Sequence, residues 1–507
     1  MRSGLIGVGA VVAIGAVALV AVATTVAGPK APEYAVSRDG GYETKALLSV
    51  GDDVRETSNK KQRYQMVGIP DGLGAAREGE NTVVYMNHEF TSAVKTQPVV
   101  GGPFTKGSFV SKWVLNEKGK VESGERAFDA VYVGNTLVGP TAEDVPGNTT
   151  RPFSRFCSGS LGAQADGFTQ PIYFAGEEDD SSAAFNPDGG QGVAIFDNEA
   201  HVLPKLGKFA FENILPQRRT DGPTGRTVLI LQEDGPASPL ESQLYMYVGQ
   251  KSAAGTTLDQ NGLTNGQLYA LKVTGKTAEA AADVTGASLP AEWVPVASPE
   301  TKTYTELNAA TVAAGAYGFA RVEDGAFDKD DPNRYYFVTT GQNAVNNNLG
   351  RIYQLDLNAS DPTGAASLKL VVNADAIVKA GGDAPLSPDN IDTASGWLMV
   401  QEDGTSPTRI EMGKKNRDGS IWRFPIVPAK GGLVASPDRI VELNPPGRDG
   451  VAVGPGVWES SGIIDTSTIF GPDTWLFDVQ AHSPTVPPNV ASQGEDGQLL
   501  LLVPRKR

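Results

Sequence analysis

The chain has 507 residues, and 59 acidic residues against 43 basic ones give a formal net charge of −16. Such a surface repels nucleic acid and anionic lipid and can attract divalent cations, although it also simply keeps a protein soluble. Three histidines and one cysteine exclude an intramolecular disulfide and a zinc site built on several imidazoles. Any metal centre must therefore rely on carboxylates and backbone carbonyls, which suit calcium, magnesium, manganese or ferric iron.

Residues 1–27 have the features of an export signal. Met1-Arg2-Ser3 is a short basic start, residues 5–26 are mostly apolar, and Thr25-Val26-Ala27 offers small residues for cleavage. The apolar segment is also long enough to span a bilayer, so an uncleaved N-terminal anchor is the alternative. We predict a secreted or extracytoplasmic protein that meets a membrane only if this segment is retained.

The remaining chain has the composition of a β protein. Glycine (59 residues) and proline (34 residues) are abundant and long helical periodicity is scarce, which favours short strands joined by turns. Residues 28–45 indicate a linker or edge segment, residues 46–507 indicate one β domain, and residues 134–152 indicate a loop within it. Early strands are predicted at residues 45–54, 64–67, 82–86 and 109–115.

Later strands occur as pairs with hairpin spacing. The pairs join residues 228–232 to 244–248, 335–340 to 351–356, and 397–404 to 420–424, and strands at residues 474–482 and 499–503 close the chain. Two Ala-rich segments, residues 277–286 and 305–316, indicate the few helices.

A strand that ends in two carboxylates and a glycine occurs twice, at residues 228–235 and 397–404. Looser copies lie at residues 84–89, 172–179 and 319–325. Asp-Gly after an apolar run is also the commonest hairpin-turn signal, so each copy taken alone has a turn as its alternative. The recurrence favours one unit repeated around a centre. We predict an all-β fold, a six-bladed β-propeller with long loop insertions and few short helices, whose strand ends bring carboxylates together.

An ordered set of short motifs resembles the PhoX-type alkaline phosphatases over nearly the whole mature chain. Members of that family are secreted six-bladed β-propellers that hydrolyse phosphomonoesters with iron and calcium. The motifs are Asn87-His88-Glu89, Cys157-Ser158-Gly159-Ser160, Gly176-Glu177-Glu178, Phe211-Glu212, Glu233-Asp234, Arg321-Val322-Glu323, Pro388-Asp389-Asn390 and Gln480-Ala481-His482.

The resemblance implies an enzyme that acts on a small-molecule phosphoester with Ca²⁺ and Fe³⁺, and we expect a monomer that binds no nucleic acid. It implies that Arg321 and Glu323 are catalytic, that Arg321 also binds phosphate, and that Asn87 contacts substrate. The implied metal ligands are Glu89, Cys157, Glu177, Glu178, Glu212, Asp234 and Glu323. Asp389-Asn390 is expected to form a turn, and His88 to bond the backbone beside the site.

The chain also departs from the family pattern. Residues 161–171 replace a Thr-Pro-Trp-Gly-Thr segment, Phe211 stands in place of a histidine, and no twin-arginine signal is present. These departures keep open a catalytically inactive calcium-binding propeller that binds a cell-envelope ligand or partner. A third hypothesis is a propeller lactonase that uses calcium alone.

Overall fold

The computed structural model describes residues 31–38, 40–219, 225–444, 454–482 and 490–505. The predicted signal or anchor at residues 1–27 lies outside the described residues. Among the residues that are described, no helix has the length and apolar character needed to cross a bilayer.

Most of the described chain is β-structure. The first strands are β1 (Ala35–Ser37), β2 (Tyr42–Ser49), β3 (Asp53–Glu56), β4 (Arg63–Gln65), β5 (Pro70–Glu78), β6 (Asn81–His88), β7 (Lys95–Thr96), β8 (Thr105–Lys106), β9 (Phe109–Leu115), β10 (Val121–Arg126), β11 (Ala130–Val133) and β12 (Thr136–Pro140). The middle strands are β13 (Phe156–Gly162), β14 (Ile172–Glu177), β15 (Gly192–Phe196), β16 (Glu199–Val202), β17 (Phe211–Pro216), β18 (Arg226–Glu233), β19 (Leu244–Gln250), β20 (Gln267–Val273), β21 (Ser288–Val296), β22 (Val322–Phe327), β23 (Arg334–Thr339), β24 (Arg351–Asp356) and β25 (Ala366–Asn373). The last strands are β26 (Pro388–Ala394), β27 (Trp397–Glu402), β28 (Ser420–Val427), β29 (Gly432–Leu433), β30 (Asp438–Leu443), β31 (Glu459–Asp465), β32 (Trp475–Ala481) and β33 (Asp496–Pro504).

The helices are few and short. They are α1 (Thr257–Gln260), α2 (Tyr304–Ala313), α3 (Ala374–Lys379), α4 (Ser406–Lys414) and α5 (Val490–Gln493), with single 3₁₀ turns at Gln164–Asp166, Pro204–Leu206, Pro299–Thr301 and Pro428–Lys430. The mostly β fold with few short helices confirms the predicted fold class.

Six strands, β5, β13, β17, β22, β26 and β31, each begin an antiparallel sheet and contact one another in a closed order. We call these six strands the inner ring. The sheets run outward as β5-β6-β9-β10, β13-β14-β15-β16, β17-β18-β19-β20, β22-β23-β24-β25, β26-β27-β28-β30 and β31-β32-β33-β2, and β21 joins the third sheet to the fourth. A closed ring of six inner strands is the arrangement expected of a six-bladed propeller.

The two ends of the chain meet in the sixth sheet. Strand β2 pairs antiparallel with β33, and β1 pairs with β30 in the fifth sheet. The pairing covers the edge of β33 and leaves β2 as the outermost strand of this sheet. It also joins strands from the two ends of the described chain in one sheet.

The predicted hairpins of the later chain are confirmed, because β18 pairs with β19, β23 with β24 and β27 with β28. The predicted helix at residues 305–316 is confirmed as α2, where the hydroxyl of Thr303 accepts a hydrogen bond from the backbone of Glu306. The helix predicted at residues 277–286 is wrong. There the carboxylate of Glu279 accepts bonds from the Tyr353 hydroxyl and the Ala320 amide, which fix an extended loop.

The loop predicted at residues 134–152 contains a strand, β12, which pairs with β11 at the edge of the second sheet. Its side chains are mostly exposed, so the sequence lacks the apolar alternation that a half-buried strand carries.

Candidate metal and active site

Five of the inner strands carry an irregularity in their pairing, or β-bulge, immediately after their first residue. A bulge takes a residue out of the hydrogen-bonded ladder and redirects its side chain. In each strand the first residue of the bulge is an acid or a thiol, namely Asp71, Cys157, Glu212, Glu323 and Asp389. In the sixth strand, β31, Glu459 is the first residue. One potential metal ligand therefore comes from each sheet.

The residue that directly follows the second strand of a sheet adds further polar groups. These residues are Glu89, Glu178, Asp234, Asp403 and His482. The residue before each of them is the last of its strand and points the other way, because side chains alternate along a strand. His88, for example, lies 3.0 Å through Nδ1 from the Gly68 carbonyl and bonds Ser111, as expected for a residue beside the site.

Nine of these side chains form four overlapping groups in which the possible ligand atoms all lie within 4.8 Å of one another. The groups are Asp71–Glu89–Cys157, Cys157–Glu178–Glu212, Glu212–Glu323–Asp389 and Asp389–Asp403–Glu459. Cys157, Glu212 and Asp389 each belong to two groups, so the four positions are contiguous. Such an arrangement is suited to several neighbouring cations rather than to one.

Two of these carboxylates each have a buried oxygen without a hydrogen-bond partner among the described residues. Glu212 is fully buried, and its Oε2 atom has no hydrogen-bond partner among the described residues; the same holds for Oδ1 of Asp389. Burial, and then the neighbouring carboxylates, raise the pKa values of Glu212, Glu323 and Asp389 well above their ordinary value. An uncompensated set of buried oxygens is costly unless cations neutralise it. The donor set therefore fits bound hard cations.

Cys157 contributes the one soft atom of the set. Its Sγ lies 3.4 Å from Oδ2 of Asp71, and burial followed by the charge of Asp71 raises the pKa of the thiol well above its ordinary value. The side-chain amide of Asn87 holds the start of β13 by donating to the carbonyls of Cys157 (2.7 Å) and Ser158 (3.2 Å). Asn87 is itself fully buried, so its position fits support of the strand that carries Cys157 better than the predicted substrate contact.

Two arginines lie above the carboxylates and line a cavity of about 510 Å³. Arg321 grips Asp234 through Nε (3.0 Å) and Nη2 (2.7 Å), and Nη2 also lies 3.0 Å from Oε1 of Glu323. Arg155 bonds Glu89 and Glu178. The cavity therefore offers guanidinium groups to a ligand that enters over the buried carboxylates.

At the sixth sheet, His482 lies 2.7 Å through Nδ1 from Glu495 and 3.6 Å through Nε2 from Glu459. Burial disfavours the imidazolium, but the hydrogen bonds to both carboxylates outweigh it and raise the pKa of His482 well above its ordinary value. The imidazolium thus offsets part of the negative charge at this end of the site.

The structure does not bring Glu177 to the groups. Its Oε1 accepts hydrogen bonds from the backbone amides of Ser154 (2.9 Å) and Phe185 (2.8 Å), and its Oε2 accepts one from Gln191 (3.1 Å). Burial raises its pKa to about 8 against these three donors. Glu177 therefore fastens two loops to β14, while Glu178 turns toward the centre.

This contrast predicts different effects for the two neighbouring glutamates. Glu177→Gln should lower the free energy of unfolding by about 2–4 kcal/mol, because an amide nitrogen would then face backbone N–H donors in a buried position. The folded variant should keep its metal content, and Glu178→Gln should lose metal with little loss of stability. Thermal unfolding and elemental analysis of both variants provide the measurement. Metal loss in Glu177→Gln at unchanged stability would contradict the assignment.

The sequence-predicted residues thus separate into three sets. Glu89, Cys157, Glu178, Glu212 and Glu323 meet in the groups. Asp234 and Arg321 line the cavity next to these groups. Asn87 and Glu177 belong to none of the groups and do not line the cavity.

Sequence reasoning did not single out Asp71, Asp389, Asp403 and Glu459, which the structure places in the four groups. A signal was present for two of them, because Pro70-Asp71-Gly72 and Pro388-Asp389-Asn390 are alike, and each follows a residue with a left-handed backbone, Ile69 or Ser387. Asp403 is the second acid of the strand-and-acid repeat at residues 397–404.

Comparisons with known proteins find a family model and solved structures that are similar to this chain. A family model described as "Alkaline phosphatase PhoX" matches residues 197–439. No curated protein matches the chain. A solved structure of Pseudomonas fluorescens PhoX in complex with vanadate, a transition state analogue, aligns with a TM-score of 0.60 at 16% identity, covering 93% of this chain and 96% of that chain. A protein of unknown function from Dyadobacter fermentans aligns with a TM-score of 0.39 at 8% identity, covering 92% and 100%. The predicted resemblance and enzyme class are confirmed.

Proposed function

We propose that this chain, which a family model of the alkaline phosphatase PhoX matches over residues 197–439, hydrolyses phosphomonoesters in the cavity over the inner ring of a six-bladed propeller. The observation that supports this most is the set of four contiguous ligand groups beneath two arginines. Phosphoryl transfer needs charge neutralisation and a positioned water more than it needs a protein nucleophile. The site has the groups for both tasks.

The proposed cations are Ca²⁺ and Fe³⁺, held by the residues of the four groups. Carboxylate oxygens are the ligands that calcium prefers, and the thiol of Cys157 is a soft ligand that iron accepts and calcium does not need. Because burial raises the pKa of Cys157, the thiol would give up its proton only on binding a cation, which makes metal uptake pH-dependent. When bound, such cations neutralise phosphoryl oxygens and lower the pKa of a bound water.

The chain's own residues then bind and orient the substrate. Asp234 fixes the orientation of Arg321 by accepting hydrogen bonds from Nε and Nη2, which leaves Nη1 to donate to a phosphoryl oxygen. Glu323 lies 3.0 Å from Nη2 of the same guanidinium and belongs to the third ligand group. A rigidly held guanidinium costs little reorganisation as charge develops on the transferred group.

The remaining features of the proposal concern the setting of the enzyme. We propose export, with residues 1–27 as signal or anchor, a small-molecule phosphoester as substrate, and a monomeric state. Loading with cations after export would be possible because the cavity is open above the carboxylates.

Turnover of a chromogenic phosphomonoester by the purified protein tests the function, together with its calcium and iron content. We expect activity that falls at least about a hundredfold on chelation, since charge neutralisation by the cations is lost, and that returns with added metal. Bound calcium without iron and without turnover would select the inactive calcium-binding propeller. Hydrolysis of a lactone, but of no phosphoester, would select the lactonase.

A further inference from the structure

The residue directly before an inner strand has a left-handed backbone in four of the six sheets. The φ values are +48° at Ile69, +51° at Arg155, +60° at Arg321 and +47° at Ser387. This conformation is unfavourable for residues with a Cβ and persists where the surrounding structure fixes it, often at functional sites. Arg155 before β13 and Arg321 before β22 therefore occupy equivalent positions in the second and fourth sheets.

The two arginines converge on one cavity. The equivalent residue of the third sheet, which lies between them, is Ala210, and its methyl group leaves the space between the guanidinium groups open. An arginine at that position as well would fill the cavity. Arg155 and Arg321 therefore line the cavity on either side of Ala210.

Each guanidinium is held in the same manner. Nε of Arg155 bonds Oε1 of Glu89 at 2.9 Å, and Nη2 bonds Oε2 of Glu178 at 2.6 Å. Among the described residues, neither Nη1 of Arg155 nor Nη1 of Arg321 donates a hydrogen bond to the protein. The side chain of Arg155 is 40% exposed, against 5% for that of Glu178, so its free donors face the cavity. Both arginines are thus oriented by carboxylates and keep donors for a ligand.

We infer that Arg155 is a second phosphate-binding residue, which grips the phosphoryl group of the substrate together with Arg321. This inference rests on the proposed function and extends it, because the motifs that carry the family resemblance assign only Arg321. A phosphomonoester dianion offers oxygens in several directions, and two guanidinium groups from different sheets can each donate from Nη1 to a different oxygen. The cavity is also lined by Asp179 and Asp180, so it would admit a terminal phosphate group when the two guanidinium groups and bound cations together offset the acidic lining.

A purely structural role for Arg155 makes a different prediction. If it only bridged Glu89 and Glu178, its replacement would be seen as altered metal binding, and phosphate affinity would change only together with the metal content. A phosphate-binding role instead lowers phosphate affinity even when the metal content is normal, and lysine, which has a single charged nitrogen, is a poor replacement for the guanidinium.

The test compares Arg155→Lys and Arg155→Gln with the control Arg226→Gln. Arg226 begins β18 at the end of the strand far from Asp234 and pairs with Asp361 at 3.3 Å. Binding of inorganic phosphate to the metal-loaded proteins is measured by calorimetry, beside kcat, KM and metal content. We expect phosphate affinity to fall about tenfold in Arg155→Lys and about a hundredfold in Arg155→Gln. Their kcat/KM should fall at least as far at unchanged metal content, and the control should stay within about twofold.

Unchanged phosphate affinity in a fully loaded Arg155→Gln protein would overturn the inference, as would a loss of affinity that simply follows a loss of metal. The proposed function fails separately, if the loaded wild-type protein turns over no phosphomonoester. In that case phosphate binding still decides the role of Arg155, and a wild-type protein that binds no phosphate would overturn both.

Discussion

Glu212→Gln and Asp389→Asn should each lower phosphatase activity by about a thousandfold or more and should each remove bound metal. Each of these carboxylates belongs to two of the four ligand groups, so a single substitution weakens two cation positions. An amide keeps the size of the side chain but removes its charge, and hard cations bind it less well. A thousandfold loss corresponds to about 4 kcal/mol of transition-state stabilisation, which is of the size that metal ions supply.

The matched control is Glu125→Gln, which changes a buried carboxylate that is remote from the inner ring. Glu125 lies on β10 and pairs with Lys112 at 2.9 Å. We expect this variant to keep its metal and its activity, with at most a small loss of stability. Steady-state kinetics and elemental analysis of the three variants are the measurements. Full activity with full metal content in Glu212→Gln would remove the proposed site.

Asp389→Asn has a second use, because it separates the structural assignment from the sequence-based one. The sequence predicted only a turn at Asp389-Asn390. The structure instead places Asp389 in the third and fourth groups, buried and with an unpartnered Oδ1 atom. A large effect at this position would therefore support the geometry of the inner ring rather than the motif.

The strands that sequence could predict are those whose side chains alternate or are uniformly apolar. Residues 228–232 form the centre of β18, which is buried along nearly its whole length, and the partner strand β19 follows at hairpin distance. The acid at the end of each such strand was also visible, which is why Glu89, Glu178 and Asp234 were found. These features are local, because they depend on the composition of a single strand and its turn.

The inner strands were harder to predict because their pairing is broken. In β5, for example, the register shifts between Pro70 and Leu73, so Asp71 looks like part of a turn. Only the ring of six sheets reveals that Glu459 lies beside Asp389 and near Asp71, because the three residues come from different sheets. Side chains alternate between the two faces of a strand, so Glu178 reaches the ligand groups and Glu177 does not. Which of two neighbouring acids faces the site cannot be predicted without the register of the strand.

The second large effect that we expect is a reversal of the usual pH dependence of stability once the cations are removed. The metal-free protein should be most stable near pH 5 and should lose stability as the pH rises toward 8, with a fall in Tm of about 10 °C or more. Most proteins instead lose stability as the pH falls, because their paired carboxylates have lowered pKa values.

The sign follows from the direction of the pKa shifts. Burial, and then the charge of Glu459, raise the pKa of Asp403 to about 7, and burial raises the pKa values of Asp71, Glu212 and Asp389 well above their ordinary value. The unfolded carboxyls ionise near pH 4, so between pH 4 and 7 or above the folded protein binds more protons than the unfolded chain. Stability therefore falls with rising pH, by about 1.4 kcal/mol per pH unit for each proton so retained.

Unlike Asp71, Glu212, Asp389 and Asp403, Glu459 has a lowered pKa. Burial raises its pKa, but the hydrogen bond and charge of His482 outweigh burial and lower it below its ordinary value. Thermal unfolding in chelator and in excess calcium, at pH values from 5 to 9, measures the effect. Excess calcium should flatten the curve, because bound cations take over the neutralising role of protons. A chelated protein whose Tm rises with pH would mean that these carboxylates are already neutralised within the fold, and the inner ring would then have no need of cations.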